Sequence, residues 1–538
     1  MKKIYFLLIA LCLFTSVNAQ NIIFPDANFK TNLLYPNQYG LTEFVNGNFQ
    51  PILRAVAKDV NRNPIKIDQN NDGQIQVAEA LNVYYLDVGF NAGIPQQYYG
   101  TDAIITNLSG IEYFTNLKSL ICDNNQLSSL DLTQNLTLNE LDCSVNQINN
   151  LVVSHLPLLR SLKCANNQLI NLDVTQNSIL TGLYCGYNQI SVLDIGTLPN
   201  LLDLTCNNNQ ISALNFNPSV QISQLNCSYN NLTALSLPYS QYVIQSFNCS
   251  NNQLTNLDVT NLPWISTLNC SNNQLASLNL GYKRSFYSLD CSGNQLVSIT
   301  ASPDNNTNIT CRYNRSTALD VSGVTGITVF DCGDSSTLET LFVKNERGLF
   351  IMNFLNTPNL QYICANESDV EEIQQKIAQY GYSNCHVNSY CSFTSGGTFY
   401  TIQGNNKLDS DNNGTCDVSD FNLPNLKFNI TDGTNTGSVV SNTSGDYSIP
   451  VQAGTHTLTP VFENPTYFTV SPTNVVVNFP TQASPFTQNF CVSANGVHPD
   501  LEVTILPIVG ARPGFDASYR IVYKNKGNIA QSGTINLT

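Results

Sequence analysis

Apolar and polar positions keep one repeating frame from residue 120 to residue 335 of this chain. Leu, Ile or Phe stands two positions before each cysteine at 122, 143, 164, 185, 206, 227, 249, 270, 291, 311 and 332. The steps between these cysteines are 21 residues, apart from one of 22 and one of 20. Asn stands three after the first ten, at 125, 146, 167, 188, 209, 230, 252, 273, 294 and 314, and the frame fails at Ser335. Residues 139–152, NELDCSVNQINNLV, show the unit. Side chains two apart on a strand share a face, so Leu141 and Cys143 are expected inside and Asp142 and Ser144 outside. Each Cys then stacks on the Cys of the next coil. Each Asn turns inward to bond backbone groups that a curved coil leaves unpaired, and losing one such buried bond costs about 1–3 kcal/mol.

A period of about 20–29 residues, in units too small to bury a core alone, is the mark of a leucine-rich repeat. The expected fold is a leucine-rich-repeat solenoid of 21-residue repeats over 104–345, with parallel β on its concave face, followed by all-β sandwich structure. An open stack needs caps. In a cap spanning 20–103, Phe24-Pro25-Asp26-Ala27-Asn28-Phe29 predicts a short helix with Phe29, Leu33 and Leu34 on one face. In a second cap over 346–391, Ser368-Asp369-Val370-Glu371 reads as a capping box. It precedes a helix carrying Val370, Ile373 and Ile377 and ending near Gly381. Three cysteines fall there: a Cys385–Cys391 bridge is the preferred pairing and Cys364 ends the ladder, although spacing alone does not fix connectivity.

Beyond Ser392 the frame gives way to short alternating stretches between Gly, Asn and Pro turns. These are 426–430, 446–451, 455–461, 468–470 and 474–479, the spacing of a β-sandwich over 392–495. From 496 to 538, LEVTI, SYRIVYKNKG and GTINLT read as the first strands of another sandwich that ends prematurely.

Composition then sets the compartment and the partners. Lys2 and Lys3, the apolar run 4–14 and Val17-Asn18-Ala19 form a secretory signal peptide over 1–19. A secreted, extracellular or cell-surface protein without a transmembrane segment is expected. The net charge of −15 leaves no basic patch for nucleic acid. The seventeen cysteines suggest a disulfide scaffold, but stacked parallel strands aim their Cβ vectors alike, which is poor disulfide geometry. With no histidine in the frame to complete a zinc site, the ladder reads as a row of small buried hydrophobes.

Two segments match twelve-residue calcium loops, which need hard oxygen ligands on one tight turn. In 68–79, DQNNDGQIQVAE, the ligands are Asp68, Asn70, Asp72, the carbonyl of Gln74 and Glu79. In 409–420, DSDNNGTCDVSD, they are Asp409, Asp411, Asn413, Thr415, Asp417 and Asp420. The expected Ca²⁺ role is structural. Four scattered histidines and no HExxH, GxSxG or P-loop argue against an enzyme, and His155 reads as a surface residue. Binding is therefore placed on outward positions of the sheet, at Asp142, Lys163, Tyr184, Tyr187 and Tyr229.

The LxCxxNQLxxLxL pattern resembles the internalin-like leucine-rich-repeat proteins secreted or displayed by bacteria. That resemblance implies a right-handed solenoid and recognition of an extracellular protein or glycan on the concave sheet. The run from Gly404 through DxDxNG to GDYSIPVQAGTHTL resembles carboxypeptidase-regulatory-like and SdrD B-like domains, with Cys416 and Cys491 stapling its ends. The segment from Asp500 resembles an Ig-like surface domain. A monomer is expected. A non-binding structural spacer, or the targeting region of an enzyme, remain the alternatives.

Overall fold

The computed structural model describes residues 20–34, 42–45, 48–51, 57–89, 104–239, 243–303, 307–345, 351–394, 396–508 and 517–534. The expected signal peptide, 1–19, lies outside them. The chain divides into two compact units, residues 1–295 with 301–312, and residues 296–300 with 313–538. This division falls within the repeats.

In the first unit one three-residue strand recurs per coil, from Ser119–Ile121 and Glu140–Asp142 through Ser161–Lys163 and Gly182–Tyr184 to Ser288–Asp290. Neighbours pair in parallel and in register, Leu120 beside Leu141, Leu162 and Leu183. Leu141 and Cys143, like their counterparts in every coil from 120 to 206, are fully buried. A parallel solenoid with a 21-residue period is thus present, and its alternation follows the reading of residues 139–152.

Asparagine closes each coil. Asn146 Nδ2 donates to the carbonyls of Cys122, Cys143 and Ser144, while its Oδ1 accepts from the Leu127 N–H at 2.9 Å. Asn273 repeats the set on Cys249, Cys270, Ser271 and Leu254. The residue before each Asn is left-handed, and Val145, Tyr187 and Tyr229 take φ of 54, 56 and 54° where most other coils use Asn. A Cβ there costs roughly 1–2 kcal/mol. The coil imposes the shape, because the Val145 N–H must reach the Ala165 carbonyl at 2.8 Å.

One further coil precedes the cysteine frame. Tyr85–Asp87 pairs in parallel with Ser119–Ile121, Leu86 opposite Leu120, so Val88 stands where later coils have Cys. The helix Ala27–Leu34 buries Phe29, Leu33 and Leu34. Asp26 fastens it: one carboxylate oxygen accepts from the N–H groups of Asn28 and Phe29, the other from Thr106 and Asn107. Burial pushes the Asp26 pKa up, but these bonds outweigh it and hold the group below the usual carboxylate value.

In the second unit the repeats continue past Ser335. Ile327–Asp331 pairs in parallel with Ile351–Asn353, Phe330 opposite Met352, which puts the fully buried Phe354 in the cysteine position. Ser335 stands in for Asn, its hydroxyl accepting from the Asn314 N–H at 3.0 Å. A separate parallel set joins Ala318–Asp320, Thr340–Phe342, Tyr362–Cys364 and His386–Asn388, of which only the run 360–364 reads as strand-like in the sequence. Cys364 lies on this set rather than ending the ladder.

The helix Val370–Tyr380 buries Val370, Ile373 and Ile377 and stops at the left-handed Gly381. The expected capping box is absent. Ser368 Oγ donates to Asp369 Oδ1 instead, because a 3₁₀ turn over Glu367–Asp369 occupies the helix entrance. The Cys385–Cys391 pairing is also corrected: Cys391 bonds Cys364, with Cα atoms 5.4 Å apart, and Cys385 is a buried free thiol. Cys364 faces Cys391 from the strand Tyr362–Cys364 beside Phe342 and Phe393.

Downstream, two sheets share one apolar core. The first is centred on Tyr400–Asp409, paired with Asp446–Val451 and Phe490–Ala494; the second joins Thr436–Val440, Lys427–Thr431, Gly454–Val461 and Val475–Phe479. Ile402, Phe428, Ile449, Leu458, Val477 and Phe490 meet in the core. Tyr400–Asp409, the ten-residue strand that organises the first sheet, carries Gly404 because a Cβ there would lie 1.7 Å from the Gln488 carbonyl oxygen.

The last coil is welded to these sheets. Ser438 N–H donates to Ser389 Oγ at 2.8 Å, Ser389 N–H donates to the Ser438 carbonyl at 3.1 Å, and Tyr390 Oη meets His456 Nδ1 at 2.9 Å. Gly437 permits this contact, since a Cβ would sit 2.3 Å from Tyr390 Cα. Leu501–Pro507 and Tyr519–Asn525 form an antiparallel hairpin, held by Lys526 between Glu463 at 2.8 Å and Glu502 at 2.5 Å.

Candidate functional site

Strand register assembles the outward row. Asp142 lies opposite Lys163, and Lys163 opposite Tyr184, so an acid, a base and a phenol occupy three adjacent coils. Lys163 Nζ is 3.5 Å from Asp142 Oδ2, with the lysine side chain 45% exposed. The half-buried Tyr184 donates through Oη to Asp203 Oδ2 at 3.3 Å; burial and this carboxylate push its pKa up. Beyond Thr205 the row becomes Asn226, Asn248 and Asn269.

Tyr187 and Tyr229 do not belong to that row. They sit on the left-handed turns after their strands, 54% and 55% exposed, and among the described residues no ring contact joins them to Tyr184. Tyr313, in the second unit, takes the same left-handed position with 58% exposure and was not singled out. Its spacing of two after Cys311 was the available signal. Position one after each cysteine, expected outside, is buried at Asn207, Ser228, Ser250 and Ser271. Hydroxyls are spent locally there, as Ser228 Oγ donates to Asn226 Oδ1 at 2.7 Å and Ser271 Oγ to Asn269 Oδ1 at 2.7 Å. His155 is also not a plain surface group, because its Nε2 is buried without a partner.

The two loops differ. Among the described residues, Asp409, Asp411 and Asp420 form the one acidic group whose oxygens all fall within 4.8 Å. Asp409 accepts from the N–H groups of Asn413 at 3.1 Å and Gly414 at 2.8 Å, and from Ser493 Oγ at 2.7 Å. The Ser493 hydroxyl leads the effects that keep Asp409 ionised below its usual pKa. Asn413 turns its Oδ1 to Thr415, and Asp417 to Ser419. Cys416 is bonded to Cys491, tying the loop to the strand beside it.

Asp68 holds the corresponding turn, accepting from the N–H groups of Asp72 at 3.2 Å and Gly73 at 3.3 Å, but Asp68, Asp72 and Glu79 are not among the carboxylates gathered within 4.8 Å. Glu79 accepts from the backbone of Gln69 and Gln76, Asn70 Nδ2 donates to Asp72 Oδ2, and Gln74 Oε1 accepts from Lys30 Nζ.

The cysteine ladder is chemically quiet. Its thiols are buried and outside any disulfide, and burial raises Cys185 and Cys227 to about 12. A thiolate is the reactive form. Native protein at pH 8 should therefore leave these cysteines unlabelled by a maleimide until guanidinium unfolds it. Ready modification of most of the ladder without unfolding would refute the packing role.

Fold and site together define a repeat solenoid with an outward polar row and a β-rich downstream unit. No family model matches the chain, and no curated protein matches it. Among solved structures it is similar to the functional domain of InlJ from Listeria monocytogenes, described as including a cysteine ladder. That match has 22% identity over 78% of this chain and 92% of that one, with a TM-score of 0.39. It is also similar to an internalin, InlF, from Listeria monocytogenes, at 16% identity over 68% and 88% of the two chains with a TM-score of 0.38. YopM from Yersinia enterocolitica gives 19% identity over 54% and 71%, with a TM-score of 0.33. Among the described residues no helix is long and apolar enough to cross a membrane.

Proposed function

We propose that this chain is a secreted or cell-surface binding protein whose long parallel sheet recognises an extracellular protein or glycan, without catalysis. The observation that carries this reading is the register-aligned Asp142, Lys163 and Tyr184, solvent-facing on short strands whose backbone is fixed by the asparagine ladder. A rigid platform binds at lower entropic cost than a loop, and Tyr is among the residue types enriched at interface hot spots. The expected signal peptide over 1–19 is what supports export in this reading. Ca²⁺ belongs to this reading as a structural ion at 409–420: the three converging carboxylates of Asp409, Asp411 and Asp420 are hard oxygen donors of the kind it requires. The downstream sheets then serve as an SdrD B-like stalk.

The test is binding of the full chain to arrays of glycans and extracellular proteins. Tyr184→Ala with Lys163→Ala should weaken the hit by about 2 kcal/mol or more, roughly thirtyfold. Absence of any binding favours the spacer reading, and binding untouched by these changes removes the row from the site.

A further inference from the structure

A cavity of about 240 Å³ opens in the second unit, between the last coil and the downstream sheets. One wall is the parallel pair Tyr362–Cys364 and His386–Asn388, from which Gln361, Asn384 and His386 reach the space. The other is the antiparallel pair Tyr400–Asp409 and Asp446–Val451, in which Thr401 lies opposite Pro450 and Gln403 opposite Ser448. Between them Ile402 and Ile449 are fully buried in the core. Strand alternation therefore turns Thr401, Gln403 and Ser448 to the opposite side, toward the cavity. Phe399 adds an aromatic surface, its ring stacked on Phe393 at 5.2 Å.

The Ser389–Ser438 weld joins the last coil to the strand Thr436–Val440, whose sheet shares its apolar core with that of Tyr400–Asp409. The lining contains no Asp, Glu, Lys or Arg. Burial lowers the His386 pKa, which keeps the ring neutral at pH 7. The side chains of Gln361, Asn384 and His386 have no hydrogen-bond partner among the described residues.

We propose that this cavity binds one ring of a neutral saccharide. Each sugar hydroxyl both donates and accepts, and so do the amides of Gln361, Asn384 and Gln403. Phe399 offers a flat apolar surface for the C–H face of the ring. The volume is below the roughly 300–1,000 Å³ of drug-sized sites, which suits a single ring. A carboxylate-bearing sugar would lose hydration without gaining a cationic partner, so uronic acids are disfavoured. The site is separate from the Asp142–Lys163–Tyr184 row, and either proposal can fail without the other.

The experiment is saturation-transfer NMR of the full chain with methyl glycosides of glucose, galactose, mannose and N-acetylglucosamine, and with methyl glucuronide. At least one neutral glycoside should receive saturation, and methyl glucuronide should not. Gln361→Ala, at an exposed position, should weaken binding about tenfold. Phe399→Leu should do the same, with thermal melting as the check that each variant folds. No saturation of any neutral glycoside, equal saturation of the glucuronide, or binding unchanged in both folded variants would overturn the proposal.

Discussion

Asn273→Ala should destabilise the solenoid by about 3 kcal/mol, read as a shift of the urea midpoint at unchanged slope. The side chain makes four bonds, three from Nδ2 to the carbonyls of Cys249, Cys270 and Ser271 and one to Oδ1 from the Leu254 N–H. These groups belong to adjacent coils, so the substitution strips the contact that transmits register from one coil to the next. A buried group left without a partner costs about 1–3 kcal/mol, and more than one is orphaned here. Asn273→Ser should recover part of the loss, because Ser335 already performs a reduced version of this duty toward Asn314. The exposed neighbour sets the baseline: Gln274→Ala should stay within about 0.5 kcal/mol. A loss below about 1 kcal/mol for Asn273→Ala would show that water substitutes for the asparagine.

The second large effect is expected where a disulfide and the proposed Ca²⁺ loop share a residue. Cys416 lies within 409–420, and its bond to Cys491 closes 75 residues. Loop-closure entropy for that length corresponds to about 4 kcal/mol, so Cys416→Ser with Cys491→Ser should lower stability of the downstream unit by roughly that amount. Saturating Ca²⁺ acts on the same loop from the other side. With affinity of about 10⁻⁴ M, near 10 mM Ca²⁺ should stabilise the intact protein by about 2.7 kcal/mol. Asp409→Asn should abolish that gain, because Asp409 also anchors Asn413, Gly414 and Ser493. In the serine double variant the gain should shrink, since the metal must then order a loop no longer tied to its strand. Melting curves in Ca²⁺ and in chelator measure both arms. Identical curves for the intact protein would remove Ca²⁺ from this site.

Much of the solenoid was legible because its core positions are strict. Leu at one place and Cys two later leave little freedom for another register, and Asn three further on names the coil's closing bond. What escaped notice broke that grammar while obeying the packing. Val88 replaces Cys in a coil set 34 residues before Cys122, and Phe354 replaces it after Cys332. Tyr400–Asp409 escaped because Gly404, Asn405, Asn406 and Lys407 lack the branched side chains of a strand. Its extended shape comes from its neighbours at 446–451 and 490–494.

The site was legible in part. Alternation correctly put Asp142, Lys163 and Tyr184 on one side, but it says nothing of a hydroxyl consumed by its own turn, as at Ser228 and Ser271. It also could not place Tyr187 and Tyr229, whose backbone leaves the strand before reaching them. The Cys416–Cys491 bond was expected from the domain resemblance and is present, whereas the partner of Cys391 was beyond spacing, because the choice between Cys364 and Cys385 depends on which strand passes it.

The Cys364–Cys391 bond has a mechanical consequence. A stack in which each coil touches only its neighbours comes apart by peeling, one coil at a time from a free end. Tension applied through the downstream sheets would meet a covalent rivet at the strand Tyr362–Cys364 before it reached a hydrogen-bonded coil edge. Load then passes through the Ser389–Ser438 weld and the disulfide together. In a reducing medium the same pull would find the last coil as its weakest point.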